Sequence, residues 1–483
     1  MHRLMSHNRW WPAAALLACA LAANAQAPDA GAAATATANA NAAAATPSTS
    51  MPLVVADVKY RERTLANGLQ VLSVEDHASP TVAVQVWYHV GSKDDPQGRS
   101  GFAHLFEHLM FKSTAHMHAE QMDRLTEDVG GANNASTGDD VTNYFEIVPS
   151  NYLQTLLWAE AERLSNLNVD AANFKSERAV VEEEYRQSVL ANPYGKLFNA
   201  IDPHSYAVHP YQRPTIGSIA DLEAASLQDV IAFHDTFYRP DNATLIVAGD
   251  FDPKQLDAWV DRYFAWIPKP AKPVPQVSVQ EPARSQDQRY TETSQTAPLP
   301  AVAMTWLIPP AADPDVIPLQ VAAALLSQGE SSRFYQSLVY RSQVAQQAGA
   351  DADGRLGPGL FTAYAILASG HVPKDAEQLL RDEITRLATQ PIPAGELDKV
   401  KTQLLTSELK QRQTAQGIAF ALGQAALVGG GPARVNTDLA ALQAVTADDV
   451  QRVLKRYVTG AHSVTIDYLP APKAPAEETT HAK

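Results

Sequence analysis

Five prolines, Pro268, Pro270, Pro273, Pro275 and Pro282, crowd the stretch between Trp266 and Ala283. Proline has no backbone N–H and its ring clashes with the preceding helical turn, so neither a helix nor an inner strand can run through such a stretch. It must be a linker, and it divides the chain. Before it, apolar alternation predicts strands over 69–74, 82–90, 143–148 and 243–251, and apolar residues at three-and-four spacing predict helices over 102–111, 118–129, 151–166, 173–190 and 222–238. After it the order begins again, with strands near Tyr290 and over 302–308, 360–367 and 463–468, and helices over 314–326, 331–340, 376–388, 394–422 and 447–457. One strand-and-helix order used twice, in halves of about 200 residues, predicts an α+β fold built on a duplicated unit. The expected division is 56–266 and 286–470 for the two halves, 267–285 for the linker and 471–483 for a disordered tail.

The N-terminal region is of another kind. Arg3 and Arg9 precede an apolar run from Trp10 to Ala23, followed by the small residues Ala23, Ala25 and Ala27, which reads as a secretory signal over 1–27. That run is shorter than the roughly 20 residues a spanning helix needs, so no transmembrane segment is expected. Residues 28–55 are mostly Ala, Thr, Asn, Ser and Pro, too poor in large apolar groups to fold, and read as a tether. The expected product is exported to the periplasm. Lipid attachment through Cys19 is the less favoured alternative, because the apolar run continues past that residue. Cys19 is the one cysteine in the chain, so the mature protein has no thiolate for a disulfide or a metal, and any metal must sit on nitrogen and oxygen. The net charge of −15 argues against nucleic acid as a partner.

Within the predicted helix at 102–111 stand His104, Glu107 and His108 in an H-x-x-E-H pattern. At about 100° per residue the two imidazoles lie about 40° apart, one turn from each other, and can share one ion. The flanking Phe102, Leu105, Phe106, Leu109 and Met110 favour a buried setting over a solvated stripe, and buried imidazoles need a partner. Without cysteine, two histidines call for a carboxylate as third ligand of an open zinc site. The acidic helix Glu177 to Glu184 can supply it: Glu177 and Glu184 are seven apart and share a face, whereas Glu182 and Glu183 point elsewhere. On the residues alone either carboxylate of that face can serve.

With Glu184 standing 76 positions after His108, inside Glu177-Arg178-x-Val180-Val181-x-x-Glu184, the set resembles the pitrilysin/insulinase metallopeptidases, which include the mitochondrial processing peptidases. Further stretches carry the resemblance: Gly91-Ser92, Gly101-Phe102-Ala103, Phe111-Lys112-Ser113-Thr114, Asn134-Ala135-x-Thr137, Thr142-x-Tyr144, His209-Pro210-Tyr211, Ile216-Gly217 and Tyr238 to Asn242. It implies two α/β-sandwich halves arranged as a clamshell, the first bearing the metal. It implies one Zn2+ per chain on His104, His108 and Glu184, Glu107 as general base and Glu177 as the carboxylate behind a ligand. Asn134 and Ala135 would lie on a strand that receives peptide substrate by strand addition. Tyr144 is expected to pack rather than to act, and His116, His118, His204, His209 and His234 to serve surface or core.

The chain departs from that pattern in its second half. Aligning Ser331-Ser332-Arg333-Phe334-Tyr335-x-x-Leu338 with the family puts Val339 and Gln346 where a substrate-holding Arg and Tyr are expected, and Arg341 falls two positions off. The resemblance therefore implies the zinc-bearing member of a pair, a homo-oligomer or a heterodimer with an Arg/Tyr-bearing relative. The expected function is zinc-dependent endopeptidase action on peptides or unstructured segments. The alternative is a catalytically silent or merely zinc-binding subunit serving as a scaffold.

Overall fold

The computed structural model describes residues 55–472. The signal, nearly all of the tether, Cys19 and most of the tail lie outside the described residues. Runs rich in β-branched and aromatic residues make the inner strands of two sheets. The first holds β1 (Arg61–Thr64), β2 (Gln70–Glu75), β3 (Thr81–Tyr88), β4 (Ala132–Thr137), β5 (Thr142–Pro149) and β6 (Ala243–Gly249), and the second β7 (Gln288–Ser294), β8 (Ala301–Ile308), β9 (Ala345–Asp353), β10 (Gly359–Leu367) and β11 (Val464–Pro470). Their spatial orders are β1-β2-β6-β3-β5-β4 and β7-β11-β8-β10-β9. With β1 set aside, the two sheets match strand for strand, and in each the first pair, β2 with β6 and β7 with β11, is the parallel one. The duplication expected from element order is therefore a duplication of topology. No helix or strand occupies residues 265–287, where the prolines fall.

In the first half five helices matter: α1 (Phe102–Leu109), α2 (Gln121–Glu127), α3 (Leu153–Asn166), α4 (Ala171–Tyr185) and α5 (Gly195–Ser205). One face of the sheet, with Val82, Val84 and Val86 of β3 and Leu245 and Val247 of β6, packs against Phe102, Leu105 and Phe106 of α1 and Leu156 and Leu157 of α3. Alternate residues point the other way, as a pleated strand requires. Trp87, Ile246 and Ala248 meet Ala419, Leu422 and Ala425 of helix Ala415–Leu427, which comes from the second half. The exchange is reciprocal: α5 lies on the second sheet, with Phe198 edge-on to Tyr364 at 5.5 Å and Ser205 hydrogen-bonded to Thr305 at 2.7 Å. Each half covers the other's outer sheet face, so neither core is complete alone.

Several expected elements are corrected. The single helix over 394–422 is two, Ala394–Gln411 and Ala415–Leu427, and Thr414 caps the second by accepting from the Gly417 N–H. The helix over 222–238 is likewise Ile219–Ala224 and Leu227–Phe237, because Ser226 caps a new start there through a reciprocal bond with Asp229. The helix expected to reach residue 190 is α-helical only to Tyr185 and continues as a π turn over Arg186–Ala191. In place of the helix over 331–340 a π segment runs over Tyr335–Arg341.

Candidate metal centre

The site is built on α1, whose entry is set by a pair of touching glycines. Gly101 has φ +94 and Gly217 φ +74, and a Cβ on Gly217 would come within 2.5 Å of Gly101 Cα, so only glycine fits either place. Asp95 then supplies the cap, its carboxylate accepting from the N–H groups of Gly101 at 2.6 Å and Ala103 at 2.9 Å. Burial pushes the Asp95 carboxyl up to about 7 against the pull of those two donors. Apolar residues on every side of α1 leave His104 and His108 only 5% and 7% exposed, with ring centroids 5.0 Å apart.

Helix α4 brings Glu184 to them. Its Oε2 stands 3.6 Å from His104 Nε2 and 3.4 Å from His108 Nε2, too far for hydrogen bonds. Four-coordinate zinc with bonds of about 2.1 Å holds its ligand atoms about 3.4 Å apart, so these separations suit an ion between the three side chains. Their donor atoms all lie within 4.8 Å of one another, and among the described residues no other group of His, Cys, Asp and Glu meets that test. Two imidazoles and a carboxylate are also a donor set that zinc prefers.

Around the trio stand carboxylates in distinct settings. Glu107 Oε2 accepts from Thr137 Oγ1 at 2.6 Å, which fixes the carboxylate beside the trio though it is not one of its members. Glu177 places Oε2 3.7 Å from His108 Nδ1, while its Oε1 meets Lys112 Nζ at 2.6 Å and Ser176 Oγ at 3.0 Å. Burial alone would raise Glu177, but His108 and Lys112 hold it below the usual range. Burial likewise pulls the His108 imidazole down, yet Glu177, Glu184 and Glu107 hold it up at about 9. With neutral imidazoles, a dication and Lys112 together match the three carboxylates, which is a charge balance that suits occupancy.

The remaining expected residues fall as follows. Among the described residues β4 has one strand neighbour, β5, and is the edge strand of its sheet. Asn134 is exposed on that strand and accepts from the Ala135 N–H at 2.8 Å, and Ala135 is buried. Tyr144 packs in the core and donates to the Phe106 carbonyl at 3.0 Å. Glu182 and Glu183 face Arg186 on the surface side of α4. His209 lies tilted against Tyr211 and His204 stacks on Tyr290. Val339 lies in the π segment, Gln346 is exposed on β9, and Arg341 donates to the Gln336 carbonyl within its own turn. Asp95, Lys112 and Thr137 are functional contacts that spacing did not single out. Asp95 acts as a local cap six and eight residues upstream of its donors, whereas Lys112 and Thr137 meet residues distant in sequence and were hinted at only by their presence in the family-like stretches around the motif.

A buried helix with two imidazoles, met by a carboxylate from a second helix, makes a site that could hold a metal ion. Comparison with known proteins agrees. Residues 70–218 match the model of the insulinase family (peptidase family M16) and residues 224–404 that of the peptidase M16 inactive domain. The chain is 30% identical over 366 residues to the zinc protease PqqE of Helicobacter pylori, covering 75% of this chain and 82% of that one. It is 22% identical over 415 residues to the mitochondrial-processing peptidase subunit beta of Lentinula edodes, covering 82% and 86%. The crystal structure of a protease from Helicobacter pylori superposes with a TM-score of 0.82 at 28% identity, covering 85% of this chain and 99% of that one. The chain belongs to the M16 peptidase family.

Proposed function

We propose that this chain is a zinc endopeptidase, exported to the periplasm, that cleaves peptides or unstructured segments. His104, His108 and Glu184 hold one zinc per chain. When bound, zinc supplies Lewis acidity to a peptide carbonyl and to water. Glu107, held by Thr137, takes the proton from that water and returns it to the leaving amine. Glu177, fixed by Lys112, orients His108 through Nδ1. The substrate backbone adds to the outer edge of β4 at Asn134 and Ala135. With Val339 and Gln346 where family members carry Arg and Tyr, the chain works as the zinc-bearing partner of an Arg/Tyr-bearing relative or in an oligomer.

One observation carries the reading: a carboxylate that is no part of the ligand trio stands beside it in a fixed hydrogen bond from Thr137. A zinc store or scaffold gains nothing from it. The silent-subunit reading keeps support from the match of residues 224–404 to the inactive-domain model. Glu107→Gln separates the two: it should retain zinc and abolish cleavage of a quenched peptide. Equal activity in that variant would remove Glu107 from the mechanism.

A further inference from the structure

The second half reaches the end of β4, the strand whose Thr137 bonds Glu107 of α1. β4 and β5 are joined by a turn at residues 138–141, and β9 and β10, their counterparts in the duplicated sheet, by a turn at 354–358. The two turns meet. Arg355 is only 4% exposed, and its guanidinium is hydrogen-bonded to Asp353 of its own hairpin through Nε at 2.8 Å and to Asp202 of α5 through Nη2 at 2.9 Å, while Nη1 stands 3.3 Å from Asp139 Oδ2 as an ion pair without hydrogen-bond geometry. The next two residues continue the join: the Leu356 N–H donates to Asp140 Oδ2 at 2.9 Å and the Gly357 N–H to Tyr211 Oη at 2.9 Å. Tyr211 in turn donates to Asp140 Oδ1 at 2.6 Å.

The far side of the same turn is equally held. Ser92 Oγ donates to Asp139 Oδ1 at 3.0 Å, Lys93 Nζ to Asp140 Oδ1 at 2.9 Å, and a Cβ on Gly91 would lie 2.4 Å from the Asp139 carbonyl oxygen. The turn at Asp139–Asp140 is thus clamped between the loop after β3 and the hairpin carrying Arg355. Thr137, two residues before Asp139, makes the 2.6 Å bond to Glu107. β4 is an edge strand, held along its length by β5, near its start by the bonds of Asn133 to Asp123 and Thr126 of α2, and at its far end by this turn.

We infer that Arg355 is a positioning residue: through Asp139 it fixes the end of β4, and through Thr137 it sets where the Glu107 carboxylate stands. This rests on Glu107 acting as the base of a peptidase. It gives the metal-free half a task in catalysis that needs neither of the Arg and Tyr positions it lacks. A misplacement of about 1 Å in a catalytic group can cost on the order of a hundredfold in rate.

The test uses the full chain, with its partner if one is required. Arg355→Met is the stronger perturbation; Asp139→Asn is milder, removing one charge and leaving Arg355 two carboxylates. Zinc content should stay at the wild-type value in both. For Asp139→Asn, kcat should fall on the order of tenfold with KM within about threefold, and amide exchange over residues 132–142 should quicken. Combining Asp139→Asn with Thr137→Val should cost little beyond Thr137→Val alone, because both act through the same bond. Additive losses, or unchanged kcat with only a lower melting temperature, overturn the inference. If the wild type cleaves nothing, the peptidase reading fails by itself. Amide exchange then decides the brace: faster exchange of β4 in Asp139→Asn supports it and unchanged exchange refutes it.

Discussion

Zinc loading should release a proton from His108, and its pH dependence follows from the charges around that ring. In the metal-free chain burial disfavours the imidazolium, but Glu177, Glu184 and Glu107 outweigh burial and hold the group up at about 9. A metal ligand must present a free lone pair, so this proton has to leave. At pH 7, well below that value, His108 is mostly protonated, which costs on the order of a few kcal/mol of zinc binding. Apparent affinity should therefore rise about tenfold per pH unit from 7 to 9 and then level off. Calorimetry in buffers of differing ionisation enthalpy should find close to one proton released from this group at pH 7, falling by half near pH 9. The sign for stability is the usual one for a raised histidine. Its contribution to the metal-free fold is complete below the unfolded value of about 6.5 and is lost as pH rises through about 9, so the metal-free melting temperature should decline across that window. Zinc affinity that is flat between pH 7 and 9, or proton release centred near 6.5, would refute the reasoning.

Other perturbations probe the fold and the outer contacts of the site. Arg163, fully buried, pairs with Glu160 and, at 3.1 Å, with Glu146, so Arg163→Met strands two buried carboxylates and should lose about 3–5 kcal/mol in urea unfolding. A Cβ on Gly423 would lie 2.5 Å from the Trp87 ring, so Gly423→Val should pry helix Ala415–Leu427 from the first sheet. The expected loss is about 1–3 kcal/mol with zinc content intact. Lys112→Met removes a group that holds Glu177 down, so the Glu177 carboxyl should titrate at higher pH by 13C NMR, and an unmoved titration would dismiss the Lys112 contact.

What could be read from the sequence followed from how each residue meets its surroundings. β3 and β6 sit inside a sheet and carry β-branched residues toward two packed layers, so their pattern is plain. β4 and β9, with sequences ANNAST and AQQAGADAD, are the outer strands of the two sheets and have one neighbour each. Small polar residues suffice there, and no apolar alternation marks them. α5 was missed for a related reason: it carries Pro203 inside the helix and covers a sheet belonging to the other half. The breaks at Thr414 and Ser226 are caps, local bonds that interrupt a periodicity otherwise continuous in sequence. Within the site, His104 and His108 share a helical turn, so spacing exposed the pair; spacing also put Glu177 and Glu184 on one face of their helix but left open which of them joins, and the family resemblance chose Glu184. Thr137 and Arg355 act across gaps that the chain closes only on folding, and no periodicity encodes such contacts.

The most direct test is metal content measured beside peptidase activity on the full chain, alone and mixed with an Arg/Tyr-bearing relative, before and after a chelator. The account predicts one zinc per chain, cleavage that disappears with the metal and returns when zinc is restored. A fully zinc-loaded chain that cleaves no peptide, alone or with such a partner, would contradict it.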